Sequence, residues 1–190
     1  CGGNFTGEFM KTLGNGEALG IKSLCYTMQK EPKGIAHALA TAEAWAKDDA
    51  VALILGDNIF TDPIKKVVED FKDGASVFLK EVSNPQAYGV VEIDKDYNVL
   101  SIEEKPTQPK SNLIATGLYM YDKTVWDRIR NLKPSARGEY EITDLNKDYL
   151  STKELKSYKL DGWWADCGGS LDEYTKTCFE FYQYSKGHVL

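Results

Sequence analysis

Residues 51–60, VALILGDNIF, constrain the fold more than any other stretch of this chain. Six apolar or small residues end abruptly at Gly56 and deliver Asp57 and Asn58 where an interior strand should meet solvent. A short apolar run closed by a turn residue reads as a fully buried strand of a parallel sheet. Open α/β sheets bind ligands just beyond the carboxyl ends of such strands. Asp57 is therefore well placed to hold a cation, although an Asp or Asn here can equally cap the next helix.

The rest of the chain alternates extended and helical patterns, without internal repeats or a low-complexity linker, which predicts α/β architecture. Residues 21–27 (IKSLCYT) read as a strand. Over 34–47, Ile35, Ala38, Leu39, Ala42 and Trp45 fall on one stripe of a helix. A helix near 62–72 follows, with Pro63 in its first turn, and then a strand at 75–81. From residue 88 the pattern changes. YGVVEID, a turn at DKDYN and VLSIEEK predict paired antiparallel strands, and LIATGLYMYD a third extended run. Helices at 123–132 and 141–150, a strand at 155–160, a short WWAD strand and a helix from 170 complete the pattern.

Composition removes several classes of function. The 190 residues, 42% of them hydrophobic, suffice for one sizeable core, so a single domain over 1–190 is expected. A net charge of −6 argues against a nucleic-acid surface, so an anionic substrate must be held by local features. The cysteines at 1, 25, 167 and 178 show no CxxC spacing, and His37 and His188 are too few for a zinc site. Reduced thiols in a cytoplasmic protein are the expectation. No run approaches the ~20 residues of a membrane span, and no signal-peptide pattern opens the chain.

Several tempting motifs carry little chemistry. Gly14-Asn15-Gly16 with Gly20 is one residue too long for a dinucleotide fingerprint and reads as a tight turn. The DKD at 94–96 lacks the remaining ligands of a calcium loop and reads as a hairpin turn. Glu103-Glu104 and Glu139-Glu141 suggest glycosidase pairs, but adjacent strand residues point to opposite faces, so only one of Glu103 and Glu104 can face a pocket.

Other segments gain meaning in order. Gln29 stands before Pro32-Lys33-Gly34-Ile35-Ala36; then come Gly56-Asp57-Asn58, Pro85-Gln86-Ala87-Tyr88-Gly89-Val90-Val91 and Glu103-Glu104-Lys105-Pro106. Ala115-Thr116-Gly117-Leu118-Tyr119, Arg137-Gly138-Glu139-Tyr140-Glu141-Ile142-Thr143-Asp144 and Trp164-Ala165-Asp166-Cys167-Gly168 follow. Over essentially the whole chain this series resembles the sugar-1-phosphate nucleotidyltransferases, and among them the members that join a thymidine nucleotide to glucose 1-phosphate.

The resemblance implies a Rossmann-like, glycosyltransferase-A-like mixed sheet flanked by helices, with a smaller antiparallel sugar-binding part. It also implies nucleotidyl transfer from a nucleoside triphosphate, dTTP, to glucose 1-phosphate. Asp57 and Asp166 match the two carboxylates that hold Mg²⁺, an ion that prefers hard oxygen ligands. Gln29 and Gly34, with Asp57, match the nucleotide site: an amide offers donor and acceptor, and glycine admits close backbone approach. Tyr88, Gly89, Glu104, Lys105, Thr116 and Tyr119 match the sugar-phosphate site, with Lys105 also in the catalytic set. The partners implied are the two substrates and further copies of the chain.

The family's glycine-rich G-G-x-G-T-R-L-x-P loop has no counterpart here, and Cys1-Gly2-Gly3-Asn4 does not replace it. The expectation is an N-terminally incomplete domain, inactive by itself. A non-catalytic nucleotide-sugar or sugar-phosphate binding module and a UTP- or CTP-using relative stay open as alternatives.

Overall fold

The computed structural model describes residues 6–187, so Cys1 and His188 lie outside the described residues. The chain divides into two compact units, one running up to Asp49 and adding Lys123–Leu145, the other built from Ala50–Asp122 and the residues from Asn146 onward.

The first unit is helical. Helix α1 (Thr6–Leu13) leads into the Gly14-Asn15-Gly16 turn. Both glycines have positive φ, and Asn15 Oδ1 accepts the Glu17 N–H at 3.1 Å. This is turn chemistry, as the sequence indicates. Residues 21–27 form no strand, because among the described residues they find no ladder partner, and extended backbone becomes a strand only through one. The helix expected over 34–47 is two: α2 (Ile35–Ala40) and α3 (Glu43–Ala46). Thr41 Oγ1 donates back to Ala38 O at 2.7 Å and Ala42 N to Leu39 O at 2.9 Å, which tightens and bends the turn between them. The buried residues of α2 are Ala36 and Leu39, while Trp45 on α3 is 55% exposed, so the anticipated stripe does not persist through the break.

The second unit holds the strands: β1 (Val51–Ile54), β2 (Asn58–Phe60), β3 (Ala75–Glu81), β4 (Gly89–Ile93), β5 (Val99–Glu104), β6 (Leu113–Tyr121), β7 (Leu155–Lys159) and β8 (Trp164–Asp166). Helix α4 (Lys65–Asp70) follows β2, and α5 (Val125–Asn131), which belongs to the first unit, and α6 (Ile142–Ser151) follow β6. Helix α7 (Leu171–Gly187) closes the chain as described. Helix α4 starts later than expected, leaving Pro63 ahead of it.

The sheet runs β5-β4-β6-β3-β7, with β1 also on β6. Pairing is antiparallel except between β3 and β7. The buried interior strands are β3, whose ASVFL run is covered from Ala75 to Leu79, and β6, covered from Ile114 to Tyr121. β1 differs from its reading: it pairs antiparallel, only with β6 among the described residues, and Ile54 stays 49% exposed. An apolar run reports burial through its flanking partners, and β3 has two where β1 has one. Phe78, Leu118, Met120 and Leu160 form a core cluster, against which Phe60, Phe71 and Trp164 pack. Among the described residues no helix is long and apolar enough to cross a membrane.

β6 carries a fork. Ile114 and Ala115 pair with β4, whereas Leu118–Tyr121 pair with β1. Thr116 and Gly117 lie between the two ladders.

The β4–β5 hairpin turns on Asp94. Its Oδ1 accepts the Asp96 and Asn98 N–H groups at 2.8 and 2.9 Å, and Oδ2 accepts Asn98 Nδ2 at 2.9 Å. The bonds from Asn98, then that from Asp96, hold the carboxyl below its usual value. Such a group stabilises the fold above the ordinary carboxyl range, and the contribution disappears as pH falls through the depressed value. Asp94→Ala should therefore melt below wild type at neutral pH, and the gap should close in acid. Thermal melts across pH test this, and a gap that widens in acid contradicts it.

Candidate active site

Two short strands gather the acidic residues. β2 and β8 pair antiparallel, Asn58 opposite Asp166, Ile59 opposite Ala165 and Phe60 opposite Trp164. Cys167 extends the join: its N–H and Sγ both donate to Asp57 O, at 2.9 and 3.1 Å. Asp57 and Asp166, far apart in sequence, are thus neighbours at one end of a two-stranded ribbon.

Their carboxylates are held by one oxygen each. Asp57 Oδ1 accepts Asn58 Nδ2 at 2.9 Å, and Asp166 Oδ1 accepts Gly168 N at 3.0 Å. Burial pushes the Asp166 carboxyl above its ordinary value against the Gly168 bond, and the charges of Asp57 and Glu173 push the same way. A Cβ on Gly168 would strike the Asp57 carboxylate, so only glycine leaves that group where it lies. Each aspartate keeps its Oδ2 without a donor among the described residues. Two hard carboxylate oxygens on neighbouring residues suit a divalent cation. No set of three metal-binding side chains converges among the described residues, so water and phosphate would complete the shell of an ion such as Mg²⁺.

Asn58, which sequence reasoning quoted but gave no role, is the junction of this arrangement. Its Oδ1 accepts Gly117 N at 2.9 Å from the fork of β6 and Trp164 Nε1 at 3.0 Å from β8, while its Nδ2 holds Asp57. A Cβ at Gly117 would sit 2.5 Å from Asn58 Nδ2. Asn58→Leu would strand two N–H donors and is expected to destabilise the protein by about 2 to 4 kcal/mol. A urea denaturation series measures it; an unchanged midpoint contradicts the role.

The remaining candidates sort by segment. The Tyr88 ring meets Trp164 edge-on at 6.0 Å, and burial, then the charges of Asp166, Glu173 and Asp57, raise its hydroxyl pKa. Gly89 stands opposite Glu104 across one ladder and Ala115 across the other, and Lys105 N donates to Tyr88 O at 2.9 Å. The structure thus joins the AYG and EEK segments. Glu104 is half-buried and Glu103 exposed, so one of the pair faces inward, as the alternation requires. Lys105 is exposed with φ 44°, an uncommon left-handed setting for a residue before proline. Thr116 is buried with its hydroxyl donating to Phe78 O at 2.9 Å. Tyr119 is buried and stacked on Tyr121 at 6.2 Å, and burial, then the Glu104 charge, raises its pKa.

Asp166 also lines a cavity of about 420 Å³ with Tyr88, Trp164, Glu173, Lys176 and Thr177. The α7 residues here were missed from sequence, although 173, 176, 177 and 180 follow the spacing of one helix face. Trp163 anchors that helix, its ring 5.5 Å from Phe181 and 6.3 Å from Tyr184.

Gln29 and Gly34 belong to the first unit. Gln29 is half-buried, and its Nε2 donates to Gly34 O at 3.1 Å and meets His37 Nδ1 at 2.9 Å. Gly34 has φ 97° and ψ 170°. The Arg137-to-Asp144 motif contributes structure beside it: Arg137 Nε and Nη2 bond the buried Glu141 carboxylate at 3.1 and 2.8 Å. Glu139 meets the same guanidinium more loosely, its Oε2 3.7 Å from Arg137 Nη2, so both glutamates are engaged by one arginine.

A family model for nucleotidyl transferases matches residues 5–180. The glucose-1-phosphate thymidylyltransferase of Mycolicibacterium smegmatis is 47% identical over 150 residues, covering 77% of this chain and 52% of that protein. The Streptomyces antibioticus protein of the same name is 35% identical over 185 residues, 94% of this chain and 52% of its own length. The chain spans about half the length of the curated relatives it matches. A crystal structure described as a Bacillus anthracis glucose-1-phosphate thymidylyltransferase in complex with sucrose superposes with a TM-score of 0.82 at 42% identity, covering 90% of this chain and 69% of the other. The motif series, the mixed α/β architecture and a family match through nearly all of its residues agree: this chain belongs to the nucleotidyl transferase family.

Proposed function

We propose that the whole protein transfers a nucleotidyl group from dTTP to glucose 1-phosphate, giving the nucleotide-sugar and pyrophosphate. The observation that carries the proposal is the Asp57–Asp166 pair, brought together by the β2–β8 ribbon in a chain related to enzymes named for that reaction. The sugar-phosphate oxygen attacks the α-phosphorus in line and pyrophosphate leaves, so the protein needs no nucleophile of its own. Asp57 and Asp166 would hold Mg²⁺, which supplies positive charge against the reacting phosphates when bound.

The other roles fall to the chain's own side chains. Gln29 and the Gly34 backbone address the base. Tyr88, Gly89, Glu104, Thr116 and Tyr119 address the sugar, and Lys105 its phosphate. The sheet supports this division by setting Gly89 opposite Glu104 and tying Lys105 to Tyr88. A cytoplasmic setting and assembly from like chains belong to the same proposal, the former supported by cysteine spacings that suggest no disulfide framework.

The test is pyrophosphate release from dTTP by the whole protein on adding glucose 1-phosphate and Mg²⁺. Release that requires both additions is the expected result. Binding of both compounds without release would identify a binding module instead.

A further inference from the structure

The Gln29 amide is oriented without ambiguity. Gly34 O can only accept, so the atom 3.1 Å from it is the amide nitrogen. The same nitrogen lies 2.9 Å from His37 Nδ1, and that contact is a hydrogen bond only if Nδ1 accepts. His37 therefore carries its proton on Nε2. Both Nε2 hydrogens of Gln29 are then used, and no described residue donates to its Oε1. The imidazole is itself held: it stacks on Tyr140 with ring centroids 6.0 Å apart and planes 23° from parallel. Tyr140 in turn is fixed by backbone bonds to Lys33 and Ala36, which bracket Gly34.

We propose that His37 is a positioning residue that fixes Gln29 as an acceptor-only reader of the nucleotide base, and so selects bases that present an imide N–H, thymine or uracil, over cytosine. The proposal rests on the reading of Gln29 as a base contact. Thymine and uracil offer a donor at N3, whereas cytosine has a lone pair there and would set acceptor against acceptor. Without His37 the amide loses one of the two bonds that fix it. It can then turn its NH₂ outward and accommodate cytosine.

The whole protein should be titrated calorimetrically with dTTP and with dCTP, and the ratio of the two affinities compared among variants. The two nucleotides carry the same triphosphate, so the ratio isolates the base. His37→Leu removes the acceptor and should lower the preference for dTTP by about fivefold to tenfold. His37→Gln supplies an amide oxygen as acceptor and should restore it, a rescue that loss of packing alone would not give. If His37→Leu does not fold, His37→Ala removes the same acceptor with less bulk and is read in the same way. An unchanged ratio in folded His37→Leu or His37→Ala, with Gln29→Ala losing the preference, overturns the positioning role while leaving Gln29 as the reader. An unchanged ratio and unchanged dTTP affinity in Gln29→Ala overturn the base contact itself, and the inference with it.

Discussion

Asp166→Asn should abolish nucleotidyl transfer in the whole protein while making the protein more resistant to heat in the absence of magnesium. The two effects share one cause. Burial and the neighbouring charges of Asp57 and Glu173 raise the Asp166 carboxyl above its ordinary value, so its ionised form is held at a cost in the folded state. The folded protein binds that proton more tightly than the unfolded chain, so stability falls as pH rises from the ordinary carboxyl value through the raised one. Asparagine removes the charge and the penalty. It also removes one of two proposed Mg²⁺ ligands. Losing a hydrogen-bond partner of a metal ligand typically costs 10–100-fold, so losing the ligand should cost at least about a hundredfold in turnover. Mg²⁺ should raise the melting temperature of the wild type by mass action and leave that of Asp166→Asn unmoved. Paired melts with and without Mg²⁺, alongside pyrophosphate release, decide the matter; a magnesium-dependent, fully active Asp166→Asn removes Asp166 from the site.

Gly34→Ala should be the most damaging small substitution in the first unit. At φ 97° and ψ 170° the backbone occupies a region essentially reserved for glycine. An added Cβ would also stand 2.5 Å from Tyr140 O and 2.9 Å from Tyr140 N, atoms of backbone that cannot swing aside as a side chain can. Strain and overlap together should cost about 3 kcal/mol or more. Because Gly34 O receives the Gln29 amide, nucleotide affinity should fall as well. Chemical denaturation measures the first effect and calorimetry with dTTP the second. A variant within about 0.5 kcal/mol of wild type would mean that the Tyr140 segment yields easily.

Much of this was legible in the sequence because it is written in local pattern. The ASVFL run, the β4–β5 hairpin around Asp94 and the strand at 113–121 follow from apolar periodicity and turn chemistry. What failed depends on partners distant in sequence. β1 and β3 have similar apolar runs, yet β1 lies half-exposed because among the described residues it is laddered on a single neighbour. Residues 21–27 have strand composition and, among the described residues, no strand beside them. The break between α2 and α3 was readable in principle, since Thr41 is a residue type that bonds back to the preceding turn. At the site, motif likeness singles out Asp57 and Asp166, which the ribbon makes neighbours, whereas the anchoring by Asn58 depends on β6 and β8 converging on one amide. Tyr119, which motif likeness assigns to the sugar pocket, has a setting that its motif does not announce: it lies buried and stacked on Tyr121.

The β2–β8 ribbon also fixes when the acidic pair can exist during folding. The bonds from Cys167 N and Sγ to Asp57 O close a loop across 110 residues, and the ladder is only three residue pairs long. Closing so long a loop carries an entropic penalty that so short a ribbon, marginal by itself, cannot offset. The β3–β6 and β4–β5 ladders span fewer residues, so they are expected to form before the ribbon zips. On that order the carboxylates are expected to meet late. A nascent or partly unfolded chain presents them as two isolated aspartates, and the burial and neighbouring charge that raise the Asp166 carboxyl arise only once the ribbon has formed.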